Sequence, residues 1–180
     1  TTSKRKAERH FKQGVSAYLL EDYAQAEQLL VKSAEKSPMP SMAFSIAASA
    51  AQKQDEAANS EYYLECLAQQ LDSNPSLEQV LVIINQQVSL KNYTKARTWL
   101  DDYHKHLGHD TRLLALEIEV SLNEQRFEHV LEYLPKAYKE KTYSATRIYE
   151  WDHQAYLGHF SQLISQGGKT ALVNFWQKLA

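Results

Sequence analysis

One short pattern recurs along the chain at a nearly fixed spacing, and this recurrence limits the possible fold more than any other feature. A turn followed by an aromatic residue and then a small or β-branched one occurs in residues 21–26, 91–96 and 125–130. The ends of these segments are 70 and 34 positions apart. Because 70 is twice 35, a further copy of the same unit is expected between residues 41 and 77.

The residues between the turns favour helices. Apolar residues recur at helical spacing, no alternation typical of strands is present, and Gly and Pro number only five and four in 180 residues. A helix-turn-helix unit of about 34 residues is typical of the tetratricopeptide repeat (TPR). The sequence therefore predicts an all-α fold, a right-handed alpha-alpha superhelix (TPR-like solenoid) of about nine or ten helices.

The repeat spacing also predicts the domain organisation. We expect one solenoid domain over residues 1–180, with repeats at 7–40, 41–76, 77–110 and 111–140 and an atypical fifth hairpin at 142–180 that is broken at Gly167–Gly168. Gly14 should face Ala26 where two helices cross closely, and Pro38 should end the second helix. The residues predicted to pack the repeats together are Gly14, Ala26, Leu30, Ala48, Ala96, Leu100 and Leu134.

Charge and cysteine content exclude several classes of protein. Twenty Lys and Arg against 22 Asp and Glu give a net charge of −2, which argues against a nucleic-acid partner. The lone Cys66 fits a reducing compartment. No run of about 20 apolar residues is present, as a membrane span would require. Since the chain starts without Met and without a signal peptide, we expect it to be a piece of a longer protein.

Several stretches resemble one known family, the HemY proteins. The residues that carry the resemblance are Gly14, 22–30, Pro40, 47–52, Tyr63, Leu64, 131–135, Lys139, Leu172, Trp176 and Leu179. The resemblance implies the amino-terminal part of the soluble domain of a TPR protein of the bacterial inner membrane, encoded beside tetrapyrrole-synthesis enzymes. It implies membrane contact only through a missing amino-terminal anchor, a cytoplasmic location for this domain, and other proteins as partners, with tetrapyrrole-synthesis enzymes as candidates.

The basic start of the chain has two interpretations. Lys4, Arg5, Lys6 and Arg9 could hold the domain at an anionic membrane surface and would satisfy the positive-inside tendency. The alternative is a solvated terminus.

No catalytic or metal-binding motif stands out, so we predict that the chain is not an enzyme and binds no metal. His104, His106 and His109 are more simply explained as cations near a helix end than as ligands. His153 and His159 lie in an aromatic-rich stretch that could form a heme or porphyrin pocket, although such a stripe is more often core. We therefore expect no cofactor and keep heme as an alternative.

The concave surface of the solenoid is the predicted functional site. In TPR stacks the first helix of each pair lines this groove, and the repeat register gives the lining residues Phe11, Lys12, Val15, Tyr18, Met42, Ser45, Ile46, Ser49, Glu78, Leu81, Val82, Asn85, Arg112 and Glu119. The set mixes apolar anchors with few charges, which favours a docked peptide or helix. The chain's own terminal helices are the alternative occupant. The predicted function is a scaffold for protein–protein interaction linked to heme synthesis, with a heme or porphyrin carrier as the alternative.

Overall fold

A computed structural model describes residues 2–37, 40–71 and 75–179, and within these ranges every regular element is helical. The all-α class predicted from the sequence is confirmed. A 3₁₀ turn at His104–His106 joins two of the helices. The α-helices are α1 (Thr2–Leu19), α2 (Tyr23–Ala34), α3 (Ser41–Lys53), α4 (Ala57–Gln69), α5 (Leu77–Ser89), α6 (Tyr93–Asp102), α7 (Thr111–Asn123), α8 (Phe127–Lys139) and α9 (Ala145–Leu179).

Helix α9 consists of two helical segments joined at a glycine. Gly168 has φ 62° and ψ −152°, a conformation that side chains with a Cβ rarely adopt, so the helix is interrupted there. The break therefore falls at the predicted Gly167–Gly168 pair. At the other end the Ser144 hydroxyl accepts a hydrogen bond from the Arg147 amide at 3.2 Å, which caps the start of the helix.

The same turn connects the helices of all four hairpins. Its central residue has positive φ each time, at Glu21, Asp55, Lys91 and Gln125, which are 34, 36 and 34 positions apart. The amide of the following residue donates to a carbonyl five positions back, as Arg126 does to Ser121 at 2.9 Å. This bond satisfies a carbonyl at the helix end, as in a Schellman motif. The recurring pattern in the sequence is thus a recurring local structure.

Replacing Gln125 with glycine should raise the free energy of unfolding by about 0.5–1 kcal/mol. Its φ of 58° carries a steric cost for any residue with a Cβ, and this relief exceeds the entropy that glycine adds to the unfolded chain. Chemical denaturation measures the change. Gln154→Gly is the matched control, since Gln154 is an exposed residue inside helical α9 and the same change should destabilise there. Equal effects at the two sites would contradict the explanation.

The chain divides into two compact units, unit 1 (Thr1–Ala96) and unit 2 (Arg97–Ala180). Within unit 1 consecutive helices pack against each other: α1 with α2, α2 with α3, α3 with α4, and α4 with α5. The first helices of successive hairpins also touch, α1 with α3 and α3 with α5. This is the packing of stacked hairpins. The single domain and the repeat boundaries stay predictions.

The core of unit 1 is built largely from small residues. Ala17, Ala26, Ala43, Ala47 and Ala50 are buried together. Small side chains allow the helix axes to approach closely. The same cluster includes Leu30 and Ala34, with aromatic side chains packed at its edge.

Gly14 packs against a different residue from the one predicted. A Cβ built on Gly14 would lie 2.7 Å from Leu30 Cγ, so the close approach is to Leu30 rather than to Ala26. The reason is the crossing of α1 and α2, which places Gly14 opposite Leu30, one turn beyond Ala26 along α2. Ala26 is fully buried in the same core. Pro38 lies outside the described residues, and α2 already ends at Ala34.

The core of unit 2 joins α7, α8 and the first segment of α9. Trp151 and Ala155 of α9 are buried against Leu114 and Ile118 of α7. Tyr143 packs edge to face on Trp151, with ring centroids 5.2 Å apart, and donates its hydroxyl to the Thr111 carbonyl. Burial, with the charge of Glu140 as a second cause, raises the pKa of Tyr143 to about 12.

All seven predicted packing residues are buried in the structure. Side-chain exposure is zero for most of them and 3% for Leu134, and Gly14 is buried as well. The buried set is Gly14, Ala26, Leu30, Ala48, Ala96, Leu100 and Leu134.

Candidate partner-binding groove

Two adjoining clefts lie along the first helices of the hairpins in unit 1. The first has a volume of about 470 Å³ and lies between α1 and α3. Phe11 and Met42, both predicted to line the groove, provide its apolar surface. The other residues that line it are Lys4, Ala7, Glu8, Ser33, Ser37, Ser41 and Ala43.

The second cleft, of about 440 Å³, lies between α3 and α5 and shares Ser41 and Met42 with the first. The predicted groove residues Ser45, Glu78 and Val82 line it. The Met42 side chain is 63% exposed, so it forms an open apolar ridge between the two clefts. Hence α1, α3 and α5 contribute to one continuous surface in unit 1.

The other predicted groove residues of α1 and α3 lie in different environments. The Tyr18 hydroxyl and the Ser49 hydroxyl form a hydrogen bond of 3.0 Å that ties α1 to α3. Val15 and Ile46 are partly buried and pack against the core of unit 1. Lys12 forms an exposed ion pair with Glu8 at 3.0 Å.

The predicted residues of α5 fall into two groups. Val82 and Asn85 are exposed, as a groove position requires. Leu81 is only 7% exposed. The prediction for Leu81 is therefore corrected, because a side chain buried by packing is not available to a partner.

In unit 2 the two predicted groove residues have partners within the chain. The Arg112 guanidinium donates to Asp110 at 2.7 Å, and this hydrogen bond holds the pKa of Asp110 below its usual range. Glu119 pairs with Arg147 of α9, whose guanidinium lies 4.9 Å from the centre of the Trp151 ring. At Glu119 the chain's own terminal helix therefore occupies the predicted surface.

A buried polar cluster in unit 2 was not found from the sequence. The Glu117 carboxylate is 1% exposed and accepts hydrogen bonds from Arg97 at 2.8 and 2.9 Å and from Ser121 at 2.9 Å. His129 Nε2 lies 3.1 Å from the same carboxylate. Burial alone would lower the pKa of Arg97, but its bonds to Glu124 and Glu117 outweigh burial and raise it. The cluster ties α6, α7 and α8 together.

Unit 1 has a polar cluster at the equivalent repeat position. Glu27, four residues after Tyr23, accepts hydrogen bonds from Gln54 at 2.8 Å and from the Tyr63 hydroxyl at 2.7 Å. Burial and the bond to Glu27 raise the pKa of Tyr63. Arg97 likewise stands four residues after the aromatic residue of its repeat. The repeat register is therefore the sequence signal that links the two clusters.

The three clustered histidines are not arranged as a group of metal ligands in the part of the chain that the structure describes. His104 Nε2 lies 3.2 Å from the Tyr133 hydroxyl, and the His106 ring stacks on Tyr103. His109 is exposed. Over residues 2–37, 40–71 and 75–179, no group of three His, Cys, Asp or Glu side chains is arranged to bind a metal ion.

The two histidines considered for heme lie in different environments. His153 is exposed and stacks on Tyr149, with ring centroids 5.7 Å apart. His159 is 6% exposed and packs edge to face on Phe175 at 4.6 Å. They therefore do not share a pocket, and the aromatic stretch around His159 serves as packing between the two segments of α9.

Comparison with known proteins finds the same similarity in a family model and in curated relatives. The family model "HemY protein N-terminus" matches residues 1–55. Protein HemY of Escherichia coli K12 is 22% identical over 174 residues, which is 97% of this chain, and the proteins of that name from Escherichia coli O157:H7 and Shigella flexneri match equally. The chain spans 44% of the length of these relatives.

Two further findings concern solved structures and membrane insertion. No solved structure matches this chain significantly. Among the described helices none is both long enough and apolar enough to cross a membrane. The family model and the curated relatives nevertheless agree with each other, so the resemblance to the HemY proteins stated from the sequence is confirmed.

Proposed function

We propose that this chain is a TPR-type scaffold whose groove in unit 1 binds an apolar segment of a partner protein. The similarity to HemY proteins is what links the chain to heme biosynthesis in this proposal. We extend that link to the partner, an enzyme of tetrapyrrole synthesis. Enzymes bound to the same scaffold would have a higher effective concentration with respect to one another. The chain itself catalyses no reaction in this proposal. In this proposal the domain acts on the cytoplasmic side of the bacterial inner membrane.

The observation that carries the proposal is the pair of clefts that meet at Met42. Each cleft combines apolar surface with the Ser41 hydroxyl, and the second adds that of Ser45, so each can bury an apolar side chain while a hydroxyl bonds to a partner's backbone. Two such clefts in line suit a segment with two apolar anchors, extended or helical. The alternative of a heme or porphyrin carrier has less support, because His153 and His159 do not share a pocket.

Replacing Met42 with glutamate should weaken partner binding by about 30-fold, because a charge would enter the apolar centre of the interface. Met42 is largely exposed, so the fold should be unaffected. Tetrapyrrole-synthesis enzymes are purified from the organism that this chain comes from, and the chain is titrated with one enzyme at a time. Isothermal titration calorimetry measures the dissociation constant of each pair. Met42→Leu should retain binding.

A second control separates the groove from general surface hydrophobicity. Leu157→Glu places the same charge at another exposed apolar residue, which is 53% exposed on α9 in unit 2. It should bind as the unaltered chain does. The proposal fails if no enzyme of the pathway binds, or if Met42→Glu and Leu157→Glu weaken binding equally.

A further inference from the structure

The two clefts of unit 1 lie one helix apart, and this spacing limits the kind of segment that can fill both. Cα atoms of α1 come within 8 Å of α3, and Cα atoms of α3 come within 8 Å of α5. Helices in such contact have axes about 8–10 Å apart. Because each cleft lies between two of these helices, the anchor side chains of a partner must be separated by about the same distance.

The regular conformations of a partner segment match this distance to different degrees. Along a strand, side chains on one face are about 7 Å or about 13 Å apart, and neither value fits. Along an α-helix, residues i and i+7 lie on one face and are about 10.5 Å apart. In a polyproline helix, residues i and i+3 lie on one face and are about 9 Å apart. The spacing therefore selects an α-helix or a polyproline helix.

The side chains of the clefts decide between these two conformations. A polyproline segment has no internal hydrogen bonds, and the grooves that bind it are lined by aromatic residues. Among the described residues that line the clefts, Phe11 is the one aromatic side chain. The Ser33 hydroxyl already donates to the Ala7 carbonyl at 2.9 Å, and the Ser76 hydroxyl accepts the Gln79 amide in the capping box of α5. An α-helix suits these clefts better, because it satisfies its own backbone.

The charged residues at the clefts complement a partner helix with one acidic and one basic end. Lys4 and Glu8 line the first cleft, and Glu8 is already paired with Lys12 at 3.0 Å. Glu78 is the charged residue among those that line the second cleft. The first cleft is therefore positive and the second negative. An acidic residue beside one anchor and a basic residue beside the other would match these charges.

We propose that the groove in unit 1 binds an amphipathic α-helix whose apolar anchors stand at i and i+7. An acidic residue accompanies the anchor in the first cleft, and a basic residue accompanies the anchor in the second. Met42, on the ridge between the clefts, contacts the helix between its two anchors, and its flexible side chain adapts to that surface. This inference rests on the proposed function, since it specifies the segment that the groove recognises.

Three helical peptides of the same composition test the spacing. Each is an alanine-based peptide of about 18 residues, held helical by a lactam bridge on its solvent side, with two phenylalanines on one face. The phenylalanines stand 4, 7 or 11 positions apart, which corresponds to about 6, 10.5 or 16.5 Å. Fluorescence anisotropy of the labelled peptides measures their dissociation constants with the full chain. The peptide with a spacing of 7 should bind at least about 10-fold more tightly than the others, because it alone fills both clefts.

Substitutions in the chain test whether this peptide lies in the groove. Met42→Glu should weaken its binding by about 10-fold or more. Leu157→Glu, at an exposed leucine of unit 2, should leave the binding unchanged.

A charge reversal tests the acidic residue that accompanies the first anchor. The spacing-7 peptide for this test carries a glutamate beside one phenylalanine and a lysine beside the other. Lys4→Glu should weaken its binding by about fivefold at low salt, and replacing the peptide's glutamate with lysine should restore it. Lys4 is exposed, so the fold should be unaffected. If Lys4→Glu leaves the affinity unchanged, the assignment of charges to the clefts is wrong.

Three results would overturn the helix inference. These are equal affinities of the three peptides, an absence of binding, and tight binding of a spacing-7 peptide whose helix is broken by a proline between the anchors. The last result would show that the groove accepts an extended segment.

The inference and the proposed function fail separately. If the spacing-7 peptide binds but no tetrapyrrole-synthesis enzyme does, the partner named under the proposed function is wrong and the preference for a helix stands. If an enzyme binds in a way that Met42→Glu weakens, but the groove does not distinguish the three peptides, the scaffold function stands and the preference for a helix is wrong.

Discussion

Replacing Glu117 with alanine is expected to lower the free energy of unfolding of unit 2 by about 3 kcal/mol. The carboxylate is 1% exposed and receives hydrogen bonds from Arg97 and Ser121, with His129 also in contact. Its removal leaves a largely buried guanidinium with fewer partners and a buried hydroxyl without its acceptor. Such loss of one member of a buried pair costs far more than the pair contributes net.

Urea unfolding, monitored by tryptophan fluorescence, measures this effect in unit 2. All three tryptophans, Trp99, Trp151 and Trp176, belong to unit 2. Glu119→Ala is the matched control. Glu119 is on the same helix and also pairs with an arginine, but its side chain is 31% exposed, so its loss should cost less than about 1 kcal/mol.

The double variant Arg97→Met, Glu117→Leu shows why Glu117→Ala destabilises the chain. The cause is either the buried charge that loses its partner or the packing defect that the smaller side chain leaves. Replacing both members of a buried pair with apolar residues is often nearly neutral, so the double variant should be more stable than Glu117→Ala. Equal stability of Glu117→Ala and Glu119→Ala would show that the cluster does not hold α6, α7 and α8 together.

The helices of this chain were predictable because local sequence determines them. Each hairpin turn places a residue with positive φ before the next helix, and the recurring aromatic residue makes the register visible. Gly168 interrupts α9 where two consecutive glycines predict a break. These signals depend on a few neighbouring residues, so no knowledge of tertiary contacts is needed to see them.

The polar cluster was not predictable in the same way. Charged residues on a helix are usually solvated, and nothing within α7 distinguishes buried Glu117 from the more exposed Glu119, two residues further along. The difference arises from the neighbours that each residue meets, Arg97 for one and Arg147 for the other. Only the equivalence of Glu27 and Arg97 in the repeat register could have indicated such a site.

The groove was predictable in part. The register predicts Phe11, Met42 and Val82 in the groove, and in the structure these residues line clefts in unit 1, because they lie on the first helix of each hairpin. It fails for Leu81, which is buried. A register assigns a side of a helix, whereas small rotations of that helix decide which residue at the edge of that side is exposed.

The second large effect is expected at the crossing of α1 and α2. Leu30 is fully buried against Gly14, so Leu30→Ala should lower the free energy of unfolding by about 3 kcal/mol through lost burial and a residual cavity. Gly14→Ala should cost about 1–3 kcal/mol, because the new Cβ would lie 2.7 Å from Leu30 Cγ and 3.2 Å from the Leu30 amide nitrogen. Far-UV circular dichroism monitors the unfolding, since unit 1 contains no tryptophan.

The double variant Gly14→Ala, Leu30→Ala tests whether these two residues act on each other. Removing the leucine side chain makes room for the new methyl group, so the combined loss should be smaller than the sum of the single losses by about 1 kcal/mol. Ser16→Ala on the exposed side of α1 is the control and should not couple to Leu30→Ala. Strict additivity of the Gly14 and Leu30 changes would mean that the two side chains do not share a contact. The cause of the close helix crossing would then lie among the buried alanines instead.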